Sequence, residues 1–417
     1  MTERRQFSGR RRLVLAALFL ATLAWFLYRV AAPSAGRLTA GFGAYYTAAS
    51  LARAGPLPAE VYAPGFFRPL VERAMLGQAS DIYTNPPTTA LAFWPLAGLG
   101  APLARQVWTA ANVLLLFLAV GLLLRAYPWR DAWAGGLILG GLALLFRPVV
   151  SNVASGQLYI LILALLAAAA LAFNRGRDGR AGLALAAVAA LKALGGPLVA
   201  LAGWLGRWRL ALSAGLALGL LFLLTLPLLP LATWQAYLAQ LGEVTSGPWV
   251  CVTAYQTTRS LLCHLLTYDP VWNPAPVAEA AWLANGLYAL IFLASLAAVL
   301  ALARRRPEAA FAALAAWEVL LRPLGEGYHH TQMLLPLAWL LAAWQAGRLD
   351  VRGLRLAVLA GILLYCLPYP YTHPRLGAGW LALLAYPRLA AGWLLFLAIL
   401  LAARRSQKEV EPAELAG

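Results

Sequence analysis

The residues of this chain that can do chemistry are few and stand out against an inert background. Two lysines occur, and Lys192 lies inside the apolar run ALAAVAALKALGG. A lysine at membrane depth is expensive, so it has either a partner or a function. We read it as a ligand for an anionic group such as phosphate, against snorkelling of its head to the surface. Arg259 and Arg322 stand apart from the basic clusters. Each offers a planar fork for bidentate phosphate binding. The alternative is a lipid headgroup or, for Arg322, Glu326. His329 and His330 are adjacent and follow Glu326 closely, which can orient one of them. An imidazole takes a hydroxyl proton near neutral pH; headgroup binding or helix capping is the other reading. Asp81, directly before YTNPP, is the further candidate base in its loop, with a solvated acid or a cap as the alternative. The amides of Asn152, Gln157 and Gln256 and the carboxylate of Glu326 suit sugar or acceptor hydroxyls, and Tyr45, Tyr46 and Trp249 suit stacking on a sugar ring. With 16 Trp and 16 Tyr, interfacial aromatic belts are the default for any one of them.

Metal chemistry finds no support in the spacing. The cysteines are Cys251, Cys263 and Cys366, with no CxxC and no Cys/His ligand pattern. Cys251 and Cys263 can pair in an oxidising compartment, but small apolar residues in helices is the preferred reading.

The elements that hold these residues are read from composition. The chain has 417 residues, 62% of them hydrophobic and 12% charged, with mean hydropathy +0.71. A soluble domain carries about 25% charge, and one soluble core cannot bury so much apolar surface. The net charge of +17 sits mostly as arginine in short clusters between apolar runs. That is the positive-inside pattern of a membrane protein rather than a nucleic-acid-binding surface.

Pairing the spans between basic clusters gives about 12 helices. They fall at 13–32, 103–125, 131–148, 157–173, 181–193, 194–204, 209–230, 277–303, 308–323, 331–346, 353–368 and 379–403. The chain is thus an all-α polytopic membrane protein, one integral membrane domain over 1–417, with cytoplasmic termini and a cytoplasmic tail at 404–417. Residues 181–204 are broken by Gly195, Gly196 and Pro197, as two short helices or a re-entrant hairpin. Two long segments, 33–102 and 231–276, lie outside. In the first, 42–54 and 64–77 show apolar stripes at helical spacing and read as helices on the membrane surface. Residues 85–100 read as an interfacial or re-entrant piece. All four histidines and most polar side chains fall on this outer side.

Several strings, taken in order, resemble glycosyltransferase family 87. They are GFGAYYTAASLARAG (41–55), YTNPPTTALAFWPLAGL (83–99), NVASGQLYILILAL (152–165), ALKALGGPLVAL (190–201), AYQTTRSLLCHLL (254–266) and LRPLGEGYHHTQMLLPLAWL (321–340). The resemblance implies a GT-C fold in a bacterial cytoplasmic membrane. It implies inverting transfer of one sugar, mannose by inheritance, from a polyprenyl-phosphate donor to a lipid-linked or glycan acceptor on the extracytoplasmic face. No cofactor is implied; the partners are donor, acceptor and membrane lipids, with no nucleic acid. The acidic residue of the family's first loop, which looks like its base, matches Gly41 here. A non-catalytic glycolipid-binding relative is therefore a second reading, and a lipid or sugar transporter is a third.

Overall fold

Residues Ala309 to Leu321 of the helix Pro307–Leu321 are buried on every side. A helix that is apolar all round belongs in an interior, and this one packs against Leu334–Gln345, Ala281–Ala303 and Pro387–Arg405. The computed structural model describes residues 9–78, 83–349 and 351–405, so the candidate Asp81 lies outside the described residues. Among the described residues every regular element is helical, and the β pairings are two isolated bridges, Tyr255 with Glu326 and Asp269 with Asn273.

Each expected span falls on a helix. Five are long and apolar enough to cross a membrane: Gly9–Ala35, Ala101–Ala126, Trp208–Thr225, Ala281–Ala303 and Pro387–Arg404. A sixth is obtained if the pair Ala132–Leu145 and Arg147–Ser155, bent by 56°, counts as one. The outward faces confirm the medium. Leu212, Leu216, Leu220 and Leu223 line one exposed stripe of Trp208–Thr225 at helical spacing. Water would not tolerate such a patch, whereas lipid matches it.

Three expectations are refined by local chemistry. Residues 181–204 form two helices, Asp178–Lys192 and Gly196–Trp204. Ala193 and Gly195 take left-handed backbone between them, at φ 50° and 84°. The Glu318 carboxylate accepts the Gly195 N–H at 2.7 Å, an acid placed where the second helix begins. The last α-helix starts at Pro387 rather than at 379, after a 3-10 stretch Gly379–Ala385. Proline lacks the N–H that an earlier turn would need and is preorganised for a first turn. The stripe of Ala40–Ala54, the first helix expected on the outer side, is covered by the chain itself. Its Phe42, Tyr45, Ala48, Ala49 and Ala52 are buried, packed on Thr88–Phe93 and Pro64–Ala74.

Residues 231–276, the second segment expected outside, correct the reading of the cysteines. Cys251 and Cys263 form a disulfide across Cα atoms 4.9 Å apart, inside the usual range. It joins the 3-10 turn Pro248–Cys251 to the helix Thr258–Leu266.

Asp178–Lys192 and Trp208–Thr225 cross closely at Gly182. A Cβ at Gly182 would collide with the Ser213 hydroxyl and the Leu210 carbonyl, whereas one at Gly219 meets nothing. Gly182→Val is therefore expected to destabilise by about 1–3 kcal/mol, and Gly219→Ala to be neutral or better. Thermal unfolding in detergent measures both, and equal midpoints for the two variants would contradict this packing.

Candidate active site

The string Asn85-Pro86-Pro87-Thr88-Thr89 caps a helix about one hundred residues away. The Thr88 hydroxyl donates to the Ala190 carbonyl at 2.5 Å and that of Thr89 to Leu191 at 2.7 Å. These are among the last carbonyls of Asp178–Lys192, which no intrahelical N–H reaches. The next residue, Lys192, extends its ammonium to Asn85 Oδ1 at 2.5 Å. Two aromatic faces complete its shell, with Nζ 5.4 Å from the Tyr45 ring centre and 5.1 Å from that of Tyr159.

The first outer helix is brought to this point by a second capping corner. Arg147–Ser155 ends at Gly156, whose left-handed φ of 71° suits glycine. A side chain at Gly156 would also strike Phe42 and Arg105. The buried Arg105 donates to the carbonyls of Val153 and Ala154 at 2.8 and 3.0 Å and to Arg37 at 3.0 Å. A cation at a helix C-terminus is favourable, and here it pins three segments together. Thr39 caps the first outer helix and donates to the Ser155 carbonyl at 2.8 Å. Tyr45 then reaches Gln157 Oε1 at 2.5 Å and stacks on Phe93.

The third contribution is the turn after Pro307–Leu321. Arg322 donates to the Glu318 carbonyl at 3.3 Å and lies beside Gln332 and Tyr159. The Glu326 carboxylate accepts the Tyr328 hydroxyl at 2.6 Å. Lys192 lies in the fields of both Glu326 and Arg322. Burial raises the Glu326 carboxyl above its ordinary value, with the Tyr328 hydrogen bond and Lys192 opposing. His329 stacks on Tyr328 and lies tilted against Tyr159. Its Nδ1 faces the Glu326 carbonyl at 3.2 Å, and a carbonyl only accepts, so Nδ1 carries the proton. Burial, then Arg322 and Lys192, hold His329 well below its ordinary value.

The structure thus brings together Lys192, Arg322, Glu326, His329, Tyr45 and Gln157. An apolar pocket of about 270 Å³ is lined by Pro86, Ala189, Ala193, Leu218, Phe222 and Tyr237, of which Pro86 and Ala193 adjoin Asn85 and Lys192 in sequence. Among the described residues no three His, Cys, Asp or Glu side chains converge as metal ligands.

Other expected site residues stand outside this group or behind it. Arg259 donates to the Thr245 carbonyl and closes the second outer segment on itself. Tyr46 donates to the Leu99 carbonyl. Asn152 is fully buried, giving to Asn112 and to the Gln157 carbonyl while accepting the Tyr159 N–H. Gln256 is fully buried and bonded to Thr253, Ala385 and Arg388. His330 is fully buried, its Nε2 donating to the Gln256 carbonyl at 3.0 Å and its Nδ1 accepting the Tyr365 hydroxyl at 2.8 Å.

The model of glycosyltransferase family 87 matches residues 83–324, more than half of the chain. The chain belongs to glycosyltransferase family 87. It is also similar to a polyprenol-phosphate-mannose-dependent alpha-(1-2)-phosphatidylinositol mannoside mannosyltransferase of Mycolicibacterium smegmatis, with 30% identity over 99 residues. That match covers 21% of this chain and 22% of the relative. The family match includes Asn85, Lys192 and Arg322 and stops before Glu326, His329 and His330.

Sequence reasoning missed Asn85, Tyr159 and Arg105 in this family 87 site. Asn85 and Tyr159 sit inside quoted strings, but nothing local marks them as partners of Lys192. Arg105 had a usable signal, a lone arginine at the outer end of an apolar span.

His330 gives this family member a stability that depends on pH. Burial, then Arg388, lower it from 6.5 to about 3. Between those values the unfolded chain binds the proton and the folded chain does not, so stability rises with pH there. It is complete above pH 6.5 and is lost as the pH falls. Thermal midpoints measured from pH 7 to pH 4 are expected to decline, and His330→Asn to decline less steeply. An unchanged slope in the variant would remove this role.

Proposed function

We propose that the chain transfers one hexose, mannose first among candidates, from a polyprenyl-phosphate sugar to a lipid-linked or glycan acceptor. The reaction is an inverting single displacement on the extracytoplasmic face. One observation carries this reading: a cation, Lys192, is fixed by Asn85, and the sequence neighbours of both, Pro86 and Ala193, line an apolar pocket. A polyprenyl phosphate has that two-part character, a greasy chain ending in an anion. Lys192 and Arg322 neutralise the leaving phosphate, and the pocket flanked by Ala189 and Ala193 takes the first isoprene units. Tyr45 and Tyr159 are buried and hold the Lys192 ammonium with their ring faces, and Gln157 offers its amide group to the sugar.

Sidedness rests on the disulfide. Cys251 and Cys263 are bonded in the second outer segment, and disulfides persist in oxidising compartments. The same segment meets the catalytic turn through the Tyr255–Glu326 bridge and the Gln256 N–H to the Gly325 carbonyl at 2.7 Å. The mannose assignment rests on the name of the mycobacterial relative and the family.

The non-catalytic reading retains one supporting observation, glycine at position 41. Purified protein in nanodiscs, given labelled polyprenyl-phosphate sugars and a lipid acceptor mixture, separates the readings. Donor-dependent product is expected, with Lys192→Ala and Arg322→Ala each lowering turnover by about 10²–10³. Donor binding that needs Lys192 but yields no product with any sugar would favour the non-catalytic relative. Absence of both binding and product would return the transporter reading.

A further inference from the structure

We propose that Glu326 is the general base of the transfer, the carboxylate that removes the proton of the acceptor hydroxyl. This rests on the transferase reading above. In the step, the acceptor oxygen forms a bond to C1 of the sugar as the bond from C1 to the phosphate oxygen breaks. The electron pair leaves with the polyprenyl phosphate, held by Lys192 and Arg322. The hydroxyl proton passes to a Glu326 oxygen.

The surroundings remove the competitors. No acid stands at position 41, and the space is taken: a Cβ at Gly41 would lie 2.6 Å from the Ser155 carbonyl oxygen and 2.7 Å from Gln157 Nε2. Gln157 is fixed there by the Tyr45 hydroxyl. His330 spends both ring nitrogens on protein partners. His329 has a free Nε2, but its conjugate acid would be a third positive charge beside Lys192 and Arg322. Glu318 serves the Gly195 N–H, and its other oxygen is sealed from solvent.

Glu326 fits the role on charge and geometry. Protonation takes it from anion to neutral, which burial favours and which adds no positive charge. Its carboxyl is already raised by burial, which brings its proton affinity closer to working pH and improves a base. Tyr328 fixes one oxygen through Oε1. The other has no protein partner among the described residues and is not sealed from solvent. The backbone is held by the bridge to Tyr255, so the free oxygen is aimed by a rigid turn. The side chain lies in the fields of Lys192, Tyr45 and Tyr159, the residues that frame the donor.

The test compares full-length wild type with Glu326→Gln, Glu326→Asp and Glu326→Ala in nanodiscs. Transfer rate, donor affinity and thermal midpoint are measured for each. Glu326→Gln is expected to lose about 10²–10⁴ in turnover while donor affinity stays within a few-fold and the midpoint holds. Glu326→Asp is expected to keep part of the rate. Added formate, a carboxylate small enough to fill the gap, is expected to restore transfer to Glu326→Ala. Full turnover in Glu326→Gln would overturn the base assignment and leave the transferase reading standing. Loss of donor affinity together with turnover, without formate rescue, would make Glu326 structural and also overturn it. A wild type that transfers no sugar removes both at once.

Discussion

An ammonium placed at the end of an apolar helix must be balanced, and most of this site is the balancing. Lys192 is held by one amide oxygen, two aromatic faces and the field of one carboxylate. Those groups come from the first outer helix, the Asn85 string, the helix Tyr159–Asn174 and the turn after Pro307–Leu321. None of these segments neighbours Lys192 in sequence. Charge in a low-dielectric setting is expensive until it is paired, so a single lysine ties four distant segments to one point.

The polar side chains around that point divide by whether their bonding capacity is used up. Asn152, Gln256 and His330 are fully buried and bonded to backbone or side chains. Satisfied buried groups of this kind fix a unique geometry and leave nothing for a ligand. Lys192, Glu326 and His329 are only partly covered and keep unfilled donor or acceptor sites. The first set is scaffold and the second can act. His329 and His330 show how sharp the division is: adjacent residues of one type stand on opposite sides of it.

How much of this was legible in the sequence follows from which signals are local. Apolar runs of helical length are local, so the spans and the break at Gly195 were readable. A lone lysine among alanines and leucines is also local, and it pointed to Lys192. The partner of a lysine is not local. Thr88 and Thr89 find Ala190 and Leu191 across about a hundred residues, and no periodicity encodes that pairing. Tyr45 and Tyr46 are indistinguishable as letters; the helix turns one toward Gln157 and the other toward Leu99. Amides were read as sugar ligands because they are polar. The Asn152 amide instead donates to the Gln157 carbonyl beside Gly156, and the Gln256 amide is taken by the backbone of Thr253, Ala385 and Arg388. The disulfide was misjudged because twelve residues of separation fit a helix as readily as a bridge.

The polarity of the helix ends explains why a lysine is needed here at all. Asp178–Lys192 presents its C-terminus to the site, and a helix C-terminus carries partial negative charge that repels phosphate. The opposite arrangement, a helix N-terminus, would have been a ready anion site. One lies four residues on, at Gly196, but Glu318 already takes the N–H of its N-cap residue Gly195. The proposed donor phosphate therefore cannot rely on the backbone. Thr88 and Thr89 quench the last carbonyls, and Lys192 reverses the sign of what remains. On this argument a neutral residue at 192 would do more than delete one cation. It would uncover a helix terminus of the wrong sign, which Arg322 in its proposed role would then have to offset alone.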